Sequence, residues 1–421
     1  MGALAPRVFV VAGVLGVIGL GASILIGAVG GAWDRLLVSY LAAFIFVLSL
    51  SLGALWFTLL QHMTRAGWSV VLRRLSEAIA ANLTWLGLAF APIVVLVLMG
   101  KGEALYHWAD ATLFDAGSEH FDAVLSKKQS FFNPAFWTVR AVFYFAVWGA
   151  AARMLFGQSV AQDLSGDVAH THRMQKFSPL FMVLYALTQT IAVVDWVMSL
   201  EPHWFSTMYG VYFFAASLCG FFGLIGVSVW LLQRSGRLRD VITREHYQDI
   251  GKLLFGFGVV FWAYIAFSQY MLIWYANIPE ETGWYIVRQL GGWRNVSLLL
   301  LFGHFCVPFL LLISKHPKRI KGVLALVAGW MLFMHYVDVY WLVMPRIPAD
   351  LLAQSETYGQ LIDAVRESGT DLGFHPHVLD LTCLVGLTGV AVALTARRLR
   401  SCALIPTQDP RLAESLVFEN M

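Results

Sequence analysis

The sequence predicts an all-α, polytopic membrane protein of about ten transmembrane helices, and three observations carry that expectation. Of 421 residues, 58% are hydrophobic and only 13% charged, where a soluble domain carries roughly 25% charged residues. The mean hydropathy is +0.68. The apolar residues fall in long runs, each able to cross roughly 30 Å of hydrocarbon at 1.5 Å per residue. None shows the alternation of a barrel strand, so helices must do the spanning. A net charge of +3 is too small to suggest a nucleic-acid partner.

The runs cover residues 8–30, 36–60, 80–99, 134–156, 178–199, 206–232, 252–275, 295–314, 322–344 and 374–396. The first is longer than the apolar core of a signal peptide and reads as a retained span. Lys and Arg gather in the segments after the even-numbered runs: Arg73 and Arg74, Arg173 and Lys176, Arg234 to Arg244, Lys315 to Lys321, and Arg397, Arg398 and Arg400. The opposite segments carry acids, among them Glu103, Asp110, Asp122, Glu280, Glu281, Asp350 and Glu356. The positive-inside rule then puts both termini in the cytoplasm, with residues 397–421 as a cytoplasmic tail of a single membrane domain. Between runs two and three, Trp68, Val71, Leu72 and Leu75 share one helical face, with Arg73, Arg74 and Glu77 elsewhere. That pattern predicts an amphipathic helix lying in the interface.

Ionisable residues inside the runs are expensive in hydrocarbon, so each needs a partner, a proton or water. Arg140 and Asp195 lie roughly 9 Å in from the outer ends of consecutive antiparallel spans. That places them as a buried ion pair. Asp338 and Asp380 fall in the outer third of the last two runs, His375 and His377 at their outer mouth, and His304 and His335 near the midplane. Three readings compete for Asp195, Asp338, Asp380, His304 and His335: a proton or quinol pathway, haem ligation by the two histidines, or purely structural polar contacts. Cys219, Cys306, Cys383 and Cys402 include no CxxC pair, which points to neither zinc nor an iron–sulfur cluster. No phosphate-binding loop, dinucleotide fingerprint, HExxH or serine-hydrolase elbow is present. An independent transporter or a b-type cytochrome stays open as a third alternative.

Several stretches resemble one family. DWVMSLEPHWFSTMYGVYFF at 195–214, GKLLFGF at 251–257, WAYIAFSQYMLIWYANIPEET at 262–282, HFCVPFLLL at 304–312 and DVYWLV at 338–343 are similar to the ActF-type membrane subunits of the bacterial alternative complex III, relatives of the NrfD/PsrC proteins. The resemblance covers about residues 133–345. Its motif residues in the outer loops are Glu201, His203, Glu280 and Glu281. It implies two central four-helix bundles with peripheral helices, in the bacterial inner membrane. It further implies a complex that oxidises quinol and passes electrons to a cytochrome c or an oxidase. The implied partners are ActC-like, ActA, ActB, ActD and ActE subunits, with haem c and iron–sulfur clusters on those partners. No cofactor is expected on this chain, and a quinone site is expected in the ActC-like partner. A proton-conducting role, or a non-catalytic scaffold role, is what the resemblance leaves for the chain itself.

Overall fold

The computed structural model describes residues 2, 4–346, 358–368 and 373–420; the acids Asp350 and Glu356 lie outside them. Among the described residues there is no strand, and ten helices are long and apolar enough to cross a membrane. They are α1 (Leu4–Gly30), α2 (Trp33–Met63), α3 (Val70–Leu98), α4 (Pro134–Ser165), α5 (Ala169–Leu200), α6 (Tyr209–Arg234), α7 (Arg244–Ala276), α8 (Trp293–Ile313), α9 (Lys321–Val343) and α10 (Val378–Arg400). The protein is a multi-pass membrane protein.

Helices α2 to α5 close into one four-helix bundle and α6 to α9 into a second. The bundles meet where α2 and α5 lie against α6. The most enclosed spans are accordingly α2 and α6, with 89% and 72% of their apolar windows buried, against 17% for α1. Helices α1 and α10 form a peripheral pair on the outside of α2. Their contact is glycine against glycine: a Cβ on Gly19 would meet the Gly386 backbone at 2.7 Å. Small residues let two backbones approach this closely, which is how helices associate when lipid supplies no hydrophobic drive.

Several helices run past their apolar limits on the side carrying the basic segments. Helix α4 continues to Ser165, where Gly166 takes the left-handed conformation (φ 67°) and ends it. Its other end is capped by Asn133, whose side chain accepts from the Phe136 N–H at 3.0 Å. Hydropathy ends where polar residues begin, but a helix ends where its backbone is capped. The segment expected as an inner loop at 157–177 is therefore mostly helix.

The helix Val70–Ala80 departs from expectation. All eleven of its residues are buried, Arg73, Arg74 and Glu77 included, so it does not lie in the interface. The tail covers it. Arg73 Nη1 binds Asp409 Oδ2 at 2.9 Å, and Ser415 Oγ donates to the Trp68 carbonyl at 2.6 Å. Asn420 reaches on to the Glu245 carbonyl at the start of α7. The polar face that resembled a solvated surface is met from far along the chain, Arg73 by Asp409 and Arg74 by Asp163, Ser159 and the Ala403 carbonyl, which no local pattern encodes.

Candidate functional site

Three buried polar clusters separate the residues that sequence depth alone had grouped. The first lies in the α2–α5 bundle. Asp195 Oδ1 is 2.7 Å from Arg140 Nη2, and Oδ2 accepts from Arg140 Nε at 2.9 Å and from Tyr144 at 2.7 Å. The guanidinium sits between the rings of Phe131 and Phe136, 4.2 and 4.5 Å from their centroids. Around the cluster, Trp196 packs against Phe44, Phe90, Phe145 and Trp148. The void beside Trp196, between Ile45, Trp148 and Phe213, has no room for a water. This carboxylate is neutralised, saturated and walled in.

The second cluster joins α2, α9 and α10. Asp380 Oδ2 accepts from Arg35 at 2.6 Å, Tyr340 at 2.9 Å and the His377 N–H at 2.8 Å, and Oδ1 accepts from Ser39 at 2.6 Å. Asp380 thereby completes the cap of α10 and holds that helix to α2. Arg35 also donates to the His375 carbonyl.

The third cluster is of another kind. Asp338 on α9 is fully enclosed at 0% exposure. Its Oδ1 accepts from Tyr212 on α6 at 2.5 Å and its Oδ2 from the Trp262 indole on α7 at 3.1 Å. No cation pairs with it among the described residues. Trp262 in turn stacks on His304 of α8, with centroids 3.8 Å apart and planes 7° from parallel. All four helices of the second bundle thus contribute one side chain. Both ring nitrogens of His304 lack a well-formed hydrogen bond; the Gly258 backbone is the polar group beside the ring.

His335, about one turn from Asp338 on α9, is fully buried and points between the bundles. Its Nε2 lies 2.7 Å from Ser49 Oγ on α2, and that hydroxyl donates its one hydrogen to the Phe46 carbonyl. With the hydroxyl hydrogen on Phe46, the tautomer that suits this contact carries its proton on Nε2. The other nitrogen, Nδ1, makes no hydrogen bond among the described residues. Gly220 makes room for the ring: a Cβ there would stand 2.3 Å from His335 Cδ2.

Backbone irregularity frames this cluster. Residues Leu254–Phe261 of α7 and Leu300–Cys306 of α8 are π-helical and touch one another. In α8 the cause is legible: Pro308 has no N–H to offer the His304 carbonyl four residues back, so the hydrogen bonds shift register. The wider turn displaces His304 and its neighbours from an ordinary helical position.

Outside the spans, Glu201 sits at the α5–α6 connection, half-buried. Burial raises its carboxyl to about 7, against the opposing pull of Arg288 and Arg346. Arg288 is itself buried on the Trp284 ring, 3.5 Å from its centroid, and donates to the carbonyls of Trp284, Trp341 and Leu342. Burial lowers it to about 10. Tyr209, one turn before Tyr212, feels both Arg288 and Asp338, and its hydroxyl makes no hydrogen bond among the described residues. His203 Nε2 lies 2.6 Å from Asp122 Oδ2. Glu280 and Glu281 occupy the first turn of the helix Pro279–Val287, where the helix dipole favours carboxylates. Sequence reasoning overlooked Tyr212, Trp262, Ser49 and Gly220. Tyrosine and tryptophan are abundant here and read as packing, and no pattern ties Gly220 to a ring 115 residues on.

The chain has no match among the protein-family models, and none among the curated proteins. Among the described residues no three of His, Cys, Asp and Glu converge as metal ligands.

Proposed function

We propose that this chain is a membrane subunit of a bacterial quinol:electron-acceptor oxidoreductase, and that its second bundle carries a proton path centred on Asp338, His304 and His335. The observation that carries the path is a fully buried carboxyl with no paired cation among the described residues, near two buried imidazoles, one stacked on Trp262 beside the Gly258 backbone and one against Ser49. Such a set is costly in hydrocarbon and is retained where it does work. A carboxyl and an imidazole can each hold a proton and pass it on. Tyr209 and Tyr212 line the approach from Glu201 and Arg288, and each hydroxyl can both donate and accept.

The complex is the part that rests on resemblance. Quinol would be oxidised in the ActC-like partner, with iron–sulfur and haem c centres on ActB, ActA and ActE and the small ActD subunit alongside. Electrons would leave to a cytochrome c or a terminal oxidase. The Lys and Arg asymmetry supports cytoplasmic termini, so the Glu201 end would open to the outer side. A scaffold role is the second reading, favoured for α2–α5 and α10 by the saturated Asp195 and Asp380 clusters. Those two acids are accordingly left out of the path.

Asp338→Asn tests the path, since it keeps the shape, can accept from the Trp262 indole through its oxygen and donate to the Tyr212 hydroxyl through its amide, but cannot release a proton. In the assembled complex we expect turnover with quinol, or proton release in sealed vesicles, to fall about tenfold or more. Assembled Asp338→Asn complex with unchanged turnover and unchanged proton stoichiometry would leave the scaffold reading. Purification of the chain without multihaem c subunits would remove the complex and leave the path to be tested alone.

A further inference from the structure

The start of α7 and the turn leading from α8 into α9 converge on a concave site of about 480 Å³, lined by Arg244, His316, Arg319, Ile320 and Lys321. It lies at the ends of the spans, where lipid headgroups are. Arg319 is held by Glu245, and Lys321 Nζ donates to Gln233 Oε1 at 3.0 Å. Arg244 and His316 are exposed and make no side-chain hydrogen bond or ion pair among the described residues. Arg244 stands close enough to Lys321 to repel it. The same mouth receives the start of α9, which has no side-chain cap and no acid in its first turn. Its free N–H groups and dipole add to the positive field.

Membrane topology asks only that cations be on one side; it does not ask cations from two loops to face one another across a cavity. Below the mouth runs an exposed apolar stripe. Ile320, Val323, Leu326, Trp330 and Phe333 recur at three- and four-residue intervals on one face of α9. A cationic mouth above an apolar track matches a molecule with an anionic head and long hydrocarbon chains. We propose that this site binds an anionic phospholipid, its phosphate among Arg244, His316, Arg319 and Lys321 and its chains along α9. Basic pockets between helices at a membrane surface recognise such headgroups.

The test uses the full-length protein, with any subunits it retains, in phosphatidylcholine nanodiscs doped with a photo-crosslinking lipid. A phosphatidylglycerol probe is expected to label the peptide around Ile320 and Val323 well above a phosphatidylcholine probe. The Arg244→Gln, His316→Gln double variant should lose that labelling roughly fivefold or more. Neither side chain supports the fold, and retained thermal stability checks this. Arg397→Gln removes a cation from the same side but outside the site, and labelling should persist. Equal labelling by both probes, or labelling that survives the double variant, would overturn the proposal. So would suppression by excess inorganic phosphate at fixed ionic strength, which would assign the site to a soluble anion.

Discussion

Asp195 accepts from a guanidinium and a phenol, whereas Asp338, equally enclosed, accepts only from a phenol and an indole. The difference decides what each substitution does. Removing one partner of a buried ion pair strands the other and typically costs about 3–5 kcal/mol. Asp195→Ala should therefore lower the yield of folded protein more than Asp195→Ala combined with Arg140→Leu, measured by detergent-extracted monodisperse material. Equal loss in the single and double variants would argue that Arg140 is satisfied by Phe131 and its carbonyl alone. The Arg140–Asp195 contact was legible because consecutive helices with charges at one depth have little choice of partner. Arg35 with Asp380 was not legible, since 345 residues separate them and only the packing of α10 on α2 unites them.

The elements divide into those that hydropathy describes and those that it does not. Every span fell on a predicted apolar run, because lipid demands length and apolarity from each helix separately. The π-helical segments of α7 and α8 escaped, although Pro308 four residues after His304 is the kind of cue that could have announced one. The buried helix Val70–Ala80 escaped because its cover arrives from the tail. The α1–α10 pair offers a direct check of close backbone contact. Cβ atoms at positions 13 and 393 stand 3.8 Å apart, within the range that a disulfide bridges. Gly13→Cys with Ala393→Cys should cross-link under mild oxidation, seen as a mobility shift or by mass spectrometry. Adding Gly386→Leu, which drives a side chain into Leu20 and the α1 backbone, should abolish the link and cost about 1–3 kcal/mol of stability. A link that survives Gly386→Leu would mean that the two helices meet elsewhere.

For the molecule as a whole, charge asymmetry and burial give a consistent division of labour. A saturated ion pair closes the α2–α5 bundle and another fastens α10 to α2, and the α6–α9 bundle holds the carboxyl without a paired cation among the described residues. Sidedness is checked with single cysteines at Glu280 and Lys315, in a background where the four native cysteines are replaced. A membrane-impermeant maleimide applied to intact inverted and right-side-out vesicles should modify the two positions from opposite faces, with position 280 reached from outside. Modification of both from one face would overturn the ten-span topology, and reversed faces would invert the Glu201 end of the path.

The glycine seam between α1 and α10 also has a meaning in time. Helix α1 leaves the ribosome well before α10, so its principal partner emerges about 370 residues later, roughly 20–70 s at about 5–20 residues per second. During that wait α1 must tolerate lipid on all sides. Between Val8 and Gly30 it carries no charge, and much of its surface faces outward even in the finished protein. The helix with the weakest hold on the bundle is thus suited to wait in lipid for its partner, and the seam closes only once α10 has been made.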